Sequence, residues 1–379
     1  MPPTASSLDR LEFRDRDQVH RLAARLHDQM QRLGGERVSV MHVCGTHEQA
    51  IARFGLRALL PAGLDVIMGP GCPVCVTDLP EVDEGVALAR QGVRIATYGD
   101  MLRVPGTAGS LADARSAGGR IDVVYSIAQA VEMARKSSEE VVFFATGFET
   151  TAVTTAATLL SDPPGNFSVL SAHKYIPPVM EIVAEMPGSR VQGFLAAGHA
   201  ATITGWGVFE PFVARHKLPV VVAGFEPLDI LAGLCGLVDA IAAGNAAVYN
   251  LFPRSVSREG NRVAQDVLWR VFRPIGGRWR GIAHIPNGNL RLRDEYARFD
   301  ARSRFEIDLA GLWQSAPSTL VQACRCGDIL AGRSSPEDCE LFSQQCTPEN
   351  PVGACMVSTE GTCRIWHEYG GHLDLRSAP

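Results

Sequence analysis

The stretch Arg37-Val-Ser-Val-Met-His-Val-Cys44-Gly-Thr-His-Glu48 sets the fold class. An apolar run of strand length comes first, a polar turn begins at Cys44, and a helix is expected over residues 49–60. The same order of apolar strand, polar turn and helix recurs at residues 65–90 and again from residue 140. Because this alternation is typical of parallel strands under covering helices, the sequence predicts an α/β fold with parallel sheets.

More elements of the same kind are predicted through the first 250 residues. They are helices over 15–33, 79–90 and 127–135, and strands over 93–98, 122–125, 140–146, 167–171, 191–196 and 220–223. After residue 250 the composition changes to Arg, Gly and Trp, and from residue 320 to Cys, Gly and Pro. We therefore expect two α/β domains that face a crevice, over 15–125 and 126–250. A cysteine-rich C-terminal domain is expected over 251–379 together with residues 1–14.

Composition excludes several classes of protein. The chain has 379 residues, too many for one ordinary domain, and its 46% hydrophobic and 20% charged residues exclude a disordered chain. The net charge of −5 comes with no basic stripe, so we expect no nucleic-acid partner. The N-terminus has no apolar segment of the signal-peptide kind and no long apolar span follows, so we expect a soluble cytoplasmic protein without a membrane partner.

The ten cysteines are distributed unevenly. Three lie early, Cys235 stands alone in an apolar segment where a core position is expected, and six fall in the last fifth of the chain. In a large cytosolic chain this pattern indicates metal or redox chemistry rather than a disulfide framework.

Several polar residues fall where predicted strands end, which is the edge at which parallel sheets bind ligands. They are Cys44, the Cys72/Cys75 pair, Asp100, Glu149 and His173. Together they predict one lined crevice. His42, inside an apolar strand, is expected to be a hydrogen-bonded core residue.

Cys44 lies beside the start of a predicted helix, where backbone amides and the nearby His47 would favour a thiolate. A thiolate is both a nucleophile and a soft-metal ligand; the alternative is an inert buried cysteine. Cys72-Pro-Val-Cys75 has the CxxC spacing of a redox disulfide or of half a metal site, and the alternative is two structural thiols.

The C-terminal cysteines follow the pattern Cys324-x14-Cys339-x6-Cys346-x16-Cys363, with Cys326 and Cys355 in addition. Four thiols in a segment with few apolar residues favour a [4Fe–4S] cluster, with structural zinc as the second candidate. Spacing alone does not decide which four of the six would be ligands. No Walker-type phosphate loop, GxGxxG, HExxH or GxSxG motif is present.

The motifs resemble those of the HypD family, which matures [NiFe]-hydrogenases. The resemblance is carried by seven stretches: Cys44-Gly-Thr-His-Glu48, Gly69-Pro-Gly-Cys-Pro-Val-Cys75, Tyr98-Gly-Asp-Met101, Gly147-Phe-Glu-Thr-Thr151, Cys324-Arg-Cys-Gly327, Cys346-Thr-Pro-Glu-Asn-Pro351 and Gly353-Ala-Cys-Met-Val357. Glu360-Gly361 also matches the family pattern, and the resemblance as a whole covers about residues 37–369. Ala197 and Val153 depart from the family pattern without touching a cysteine.

The resemblance implies a scaffold that, with the small protein HypC, builds and carries the Fe(CN)2CO unit. HypE would supply cyanide, and the hydrogenase large subunit would be reached through HypC. It implies two α/β domains plus a domain that bears a [4Fe–4S] cluster.

Carried over residue by residue, Cys44 would be a ligand of the carried iron, and Cys72 and Cys75 would be a redox pair. The other implied roles fall into three sets: cluster ligands Cys324, Cys339, Cys346 and Cys363; relay thiols Cys326 and Cys355; and support or proton-handling residues His47, Asp100 and Glu360. Two rival hypotheses use the same cysteines, a stand-alone iron–sulfur thiol-disulfide oxidoreductase and a zinc-stabilised binding module.

Overall fold

The computed structural model describes residues 12–314 and 323–371. Residues 1–11, 315–322 and 372–379, which the sequence assigned to the C-terminal domain, lie outside the described residues.

The described chain alternates strands and helices. The strands are β1 Val38–His42, β2 Leu64–Met68, β3 Arg94–Thr97, β4 Ile121–Val123, β5 Val141–Gly147, β6 Phe167–His173, β7 Gly193–Ala197, β8 Val220–Ala223, β9 Val248–Asn250, β10 Phe272–Trp279 and β11 Ala283–Leu292. The helices are α1 Arg16–Arg32, α2 Gly45–Arg53, α3 Pro73–Val76, α4 Leu79–Arg90, α5 Leu111–Ser116, α6 Ile127–Arg135, α7 Glu149–Leu160, α8 Pro177–Glu185, α9 Gly198–Thr204, α10 Glu210–His216, α11 Pro227–Ala242, α12 Arg262–Val271, α13 Ala301–Arg304, α14 Leu309–Gln314, α15 Cys326–Leu330, α16 Ala354–Val357 and α17 Thr362–Tyr369.

The first sheet has five parallel strands in the order β2-β1-β7-β8-β9. All five residues of β1 are buried, as the continuous apolar run of a central parallel strand requires. Its core joins strand residues such as Val40 and Val221 to Leu26 of α1 and Leu234 of α11. This packing brings the carboxyl ends of β1, β7 and β8 to one edge, where Cys44 follows β1.

The second sheet has four parallel strands in the order β4-β3-β5-β6. Every residue of β5 and of β6 is buried. Its core includes Phe143 and Phe167 of the sheet, Ala152 of α7, Leu268 of α12 and Phe299. The carboxyl ends of β5 and β6 carry Gly147 and His173 as register partners.

The chain divides into two compact units that interleave along the sequence. The described part of unit 1 is 12–71, 183–261 and 365–371, and that of unit 2 is 72–182, 262–314 and 323–364. Unit 1 holds the five-stranded sheet and unit 2 the four-stranded sheet. Residues far apart in sequence share a sheet because parallel pairing needs a crossover connection. The domain boundaries expected from the sequence, which are three consecutive ranges, stay a prediction.

The predicted α/β class with parallel sheets is confirmed. Helices α4 and α6 have the predicted bounds, whereas the helix expected over 49–60 begins at Gly45, ends at Arg53 and is followed by a 3-10 turn. The antiparallel hairpin of β10 and β11 was not predicted. Among the described residues, no helix combines the length and the apolar character needed to cross a membrane.

Candidate functional site

Cys44 is placed by the junction between β1 and α2. It occupies the N-cap position of α2 and is 2% exposed. The Gly45 amide donates to the Gly71 carbonyl at 3.0 Å. A Cβ atom at Gly71 would overlap the backbone of Cys44, so only glycine allows this close approach of the two loops.

Two imidazoles and an aromatic ring lie near Cys44 in unit 1. Its Sγ is 4.0 Å from Nδ1 of His199, at the start of α9. The ring of Phe225 lies 4.9 Å from that of His47 and 5.1 Å from that of His199. His199 and Phe225 follow β7 and β8, so strand pairing brings them to the same sheet edge as Cys44.

The protonation of His47 is set by its burial. Its Nε2 donates to the Gly224 carbonyl at 2.9 Å, and its buried Nδ1 makes no hydrogen bond to any described residue. Burial, and after it the neighbouring His42, lower the pKa of His47 to about 3. The imidazole is therefore neutral near pH 7, and His47 adds no positive charge beside the thiol. Burial also lowers the pKa of His199.

Glu48 anchors this part of unit 1. Its fully buried carboxylate accepts from Nη2 of Arg57 at 2.6 Å, from Nε2 of His42 at 2.9 Å and from Nε1 of Trp366 in α17 at 3.0 Å. The other ring nitrogen of His42, Nδ1, lies 3.1 Å from the Cys44 carbonyl oxygen, and these contacts confirm His42 as a hydrogen-bonded core residue. Burial alone would raise the pKa of Glu48, but the Arg57 guanidinium and His42 bring it below its ordinary value.

The Cys72–Cys75 pair lies in unit 2 and forms a disulfide across α3. Both cysteines are fully buried, and the Cys75 amide donates to Cys72 Sγ at 3.2 Å. Helix α3 packs against β5 and against α16, the short helix that carries Cys355. The disulfide and part of the C-terminal cysteine segment therefore belong to one compact unit.

Five of the six C-terminal cysteines interact with one another: Cys324, Cys326, Cys346, Cys355 and Cys363. Cys324 Sγ donates to Cys326 Sγ at 3.1 Å. Hydrogen bonds with Cys326 and Cys355 lower the pKa of Cys363. Hydrogen bonds with Cys326 and Cys363 raise the pKa of Cys355. Cys339 is buried, but within the part of the chain that the structure describes its thiol makes no hydrogen bond to these five.

The donor chemistry of this group fits an iron–sulfur cluster. Thiolates are the ligands that such clusters take, and the Val352 amide donates to Cys346 Sγ at 3.3 Å, a bond of the kind that tunes cluster potentials. A Cβ atom at Gly353 would overlap the Cys324 and Cys326 thiols, so the backbone leaves room for sulfur here. Within 12–314 and 323–371, no group of three or more Cys, His, Asp or Glu is arranged to hold a metal ion. The fit therefore rests on donor chemistry.

The predicted acidic residues are linked by a serine that the sequence did not indicate. Asp100 Oδ2 accepts from the Ser358 hydroxyl at 2.9 Å, and the Glu360 amide donates to the same hydroxyl oxygen at 3.3 Å. Asp100, which follows β3, is thus tied to the loop between α16 and α17 in unit 2.

The two other strand-end residues lie buried in unit 2. Glu149 Oε1 accepts from the Ile176 amide at 2.8 Å, Oε2 is buried without a described partner, and burial raises the pKa of Glu149 to about 7. His173 Nε2 hydrogen-bonds to the Thr155 hydroxyl at 2.9 Å, and burial lowers the pKa of His173 to about 4.

The structure thus divides the predicted site residues between two units. Cys44 and His47 lie in unit 1, and all the others lie in unit 2. Sequence reasoning missed His199, Phe225, Arg57 and Trp366 around the Cys44 segment. Gly224-Phe225-Glu226 repeats the pattern of Gly147-Phe148-Glu149 after a strand, which was the one sequence feature that pointed to Phe225. Cys235 is buried in α11, as predicted, and burial raises its pKa to about 11.

A buried thiol at one strand end, a CxxC disulfide and interacting C-terminal thiols define the chain as a cysteine-rich protein of the parallel α/β class. Comparison with known proteins narrows that class. The family model described as "Hydrogenase formation hypA family" (HypD) matches residues 17–370.

Individual relatives agree over nearly their full length. The chain is 40% identical to hydrogenase maturation factor HypD of Cupriavidus necator over 378 residues, 96% of this chain and 97% of that protein. It is 40% identical to the HypD of Azotobacter vinelandii over 371 residues, 95% and 96% of the two chains. It is 41% identical to a putative hydrogenase expression/formation protein of Methanocaldococcus jannaschii over 357 residues, 93% and 95%. The chain belongs to the HypD family of hydrogenase maturation factors.

Proposed function

We propose that this maturation factor is a redox-active scaffold that builds and carries the Fe(CN)2CO unit together with a HypC-like protein. Cyanide would come from a HypE-like donor, and the hydrogenase large subunit would receive the unit through HypC. The observation that carries the proposal is the Cys44 thiol, placed by β1 and α2 at 4.0 Å from His199 in a chain of the HypD family.

Cys44 is suited to hold the iron of this cargo. Cyanide and CO favour low-spin Fe(II), and a soft thiolate suits such an ion. Burial lowers the pKa of both His47 and His199, so neither imidazole carries a positive charge that would repel the iron. Cys44 is 2% exposed, so little water reaches its thiol. A second thiolate from HypC would complete a site that opens when the two proteins separate.

The Cys72–Cys75 pair and the C-terminal thiols are proposed to handle electrons. In this proposal Cys324, Cys339, Cys346 and Cys363 hold a [4Fe–4S] cluster, and Cys326 and Cys355 relay electrons. When bound, the cluster supplies single-electron storage. Asp100 and Glu360, joined through Ser358, lie in the same unit as the disulfide and are the groups proposed to hold or release protons.

The proposal predicts infrared absorption from bound cyanide and CO on the anaerobically purified complex with its HypC-like partner. In Cys44→Ala the intensity of these bands is expected to fall at least tenfold, while the sulfide content, which reports the cluster alone, stays unchanged. Cys235→Ala, which alters another buried cysteine of unit 1, is the matched control and is expected to retain them. Unchanged bands in Cys44→Ala would contradict the ligand role.

A second candidate, the stand-alone thiol-disulfide oxidoreductase, is favoured by one observation. The Cys72–Cys75 disulfide lies on a helix that packs against the helix bearing Cys355. Catalytic turnover of a disulfide substrate by the isolated chain, without partner or cyanide, would support this candidate over the scaffold.

A further inference from the structure

Arg280 is a buried cation that no predicted role includes. It follows β10 and is 6% exposed. Its backbone amide donates to the Val76 carbonyl at 3.1 Å, its Nε to the Thr77 carbonyl at 2.7 Å and its Nη2 to the Pro105 carbonyl at 2.8 Å. Two of these carbonyls belong to the residues directly after Cys75, so Arg280 fixes the end of the helix that contains the disulfide.

One donor of the Arg280 guanidinium has no hydrogen-bond partner among the described residues. Its Nη1 is buried and makes no hydrogen bond within the described residues, and no described carboxylate lies within ion-pair distance of its guanidinium. Burying a cation that has an unbonded donor and no paired carboxylate costs free energy of folding, because neither water nor an anion compensates the lost hydration. Such a group indicates that negative charge develops beside it at some stage of function.

The Cys72–Cys75 pair is placed to carry that charge, because Arg280 binds the carbonyls of the two residues that follow Cys75. A Cβ atom at Gly327 would overlap the Gly281 carbonyl, so the turn after Arg280 lies directly against the start of α15, where Cys326 is. Arg280 is thus bonded to the disulfide segment on one side and next to C-terminal thiols on the other, all within unit 2.

We propose that Arg280 is a positioning residue for the thiol redox chemistry: it holds the segment after Cys75 and supplies a fixed positive charge that stabilises the reduced, anionic form of the Cys72–Cys75 pair. The inference rests on the proposed redox role of that pair. A guanidinium keeps its charge when buried, which a lysine or histidine often does not. A nearby cation favours thiolate over thiol, and a disulfide whose reduced form is stabilised is easier to reduce.

A dithiol reductant gives two electrons to the Cys72–Cys75 bond and itself becomes a disulfide. The S–S bond of the pair breaks, and one sulfur leaves as a thiolate while the other takes a proton from the reductant. The second proton of the dithiol goes to solvent, and Arg280 stabilises the thiolate.

The test measures the equilibrium between the Cys72–Cys75 pair and dithiothreitol in the full-length chain. Samples equilibrated anaerobically at set ratios of reduced to oxidised dithiothreitol are acid-quenched and alkylated with two mass tags. The peptide that contains both cysteines then gives their oxidation state separately from the other eight. Wild type is compared with Arg280→Met, which keeps the volume without the charge.

Arg280→Met is expected to lower the equilibrium constant for reduction at least tenfold, which corresponds to about 30 mV. The matched control is Arg135→Met, which removes the same charge from an arginine of unit 2 whose side chain is 57% exposed, and it is expected to change nothing. A folded Arg280→Met within threefold of wild type would overturn the proposal.

Asp78→Asn tests the charge in the opposite direction and does not depend on Arg280→Met folding. Asp78 is the N-cap of α4, a position that Asn also fills well, and its carboxylate offsets part of the Arg280 field. Removing that negative charge is expected to raise the equilibrium constant for reduction severalfold, and no change or a fall would count against the proposal. Because these equilibria need neither cyanide nor CO, they are decided independently of the infrared experiment on Cys44.

Discussion

Glu48→Gln is expected to destabilise unit 1 by about 3–5 kcal/mol, the usual cost of removing one partner from a buried ion pair. Glu48 is fully buried, whereas the Arg57 side chain is 12% exposed and has little water to replace the lost charge. The glutamine amide also brings N–H groups towards the donors of Arg57, His42 and Trp366, so at least one buried hydrogen bond is lost.

The assay combines denaturant unfolding with hydrogen exchange of the peptides that cover α2. Exchange is needed because a chain of two compact units need not unfold in one step. Glu226→Gln is the matched control, since Glu226 also pairs with an arginine of unit 1, Arg14, but both side chains are about a third or more exposed. Its expected cost is about 0–1 kcal/mol. A Glu48→Gln cost no larger than that of the control would refute the reasoning.

The pH dependence of the same variant has a definite sign. The pKa of Glu48 is lower in the folded chain than in the unfolded chain. Its contribution is therefore present above the unfolded pKa and is lost as pH falls through the folded one. The difference in stability between wild type and Glu48→Gln should shrink as the solution is acidified. A difference that grows on acidification would contradict the assigned charge state.

Two further substitutions test other parts of the structure. Because the pKa of buried Glu149 is raised to about 7, its stabilising effect is complete below the unfolded value near 4.5 and is lost as pH rises through about 7. In wild type the free energy of unfolding should therefore fall between those pH values, by on the order of 3 kcal/mol, and in Glu149→Gln this fall should be absent. Gly71→Ala should cost about 1–3 kcal/mol in denaturant unfolding, because its Cβ overlaps the Cys44 backbone. Gly165→Ala, with open space around its Cβ, should change the stability by less than about 0.5 kcal/mol, and equal effects at the two glycines would contradict the packing argument.

The strands of both sheets other than β9 were predicted from short apolar runs, which are continuous at β1 and β5, whereas the three residues of β9, all only half-buried, carry no such run. The β10–β11 hairpin could not be predicted, because Arg273 and two adjacent glycines interrupt its alternation and its register shifts between Ile275 and Gly277. The hairpin is positioned by packing against the second sheet, a contact that no local pattern shows.

The candidate site was predictable only to the extent that it is local in sequence. The CxxC spacing pointed to Cys72 and Cys75 as a pair, but it left open a redox disulfide, half a metal site and two structural thiols, and only the structure shows the disulfide. His199 lies 155 positions from Cys44 and reaches it only because β1 pairs with β7. The burial of Arg280 could not be anticipated, since arginine is ordinarily a surface residue and nothing in its neighbours in sequence distinguishes it.

The electrostatic setting of Cys44 bears on the proposed iron-carrying role. The sequence pointed to His47 as the source of positive charge, but burial leaves that imidazole neutral. His42 instead lies between Glu48 and the Cys44 carbonyl, with one ring nitrogen 2.9 Å from the carboxylate and the other 3.1 Å from the carbonyl oxygen. Arg57 donates to the same carboxylate, so the positive charge beneath the Cys44 segment is already paired with Glu48. On the proposed function, the backbone amides at the start of α2, where Cys44 is the N-cap, would therefore be the groups that help to keep Cys44 as a thiolate between the release of one iron unit and the arrival of the next.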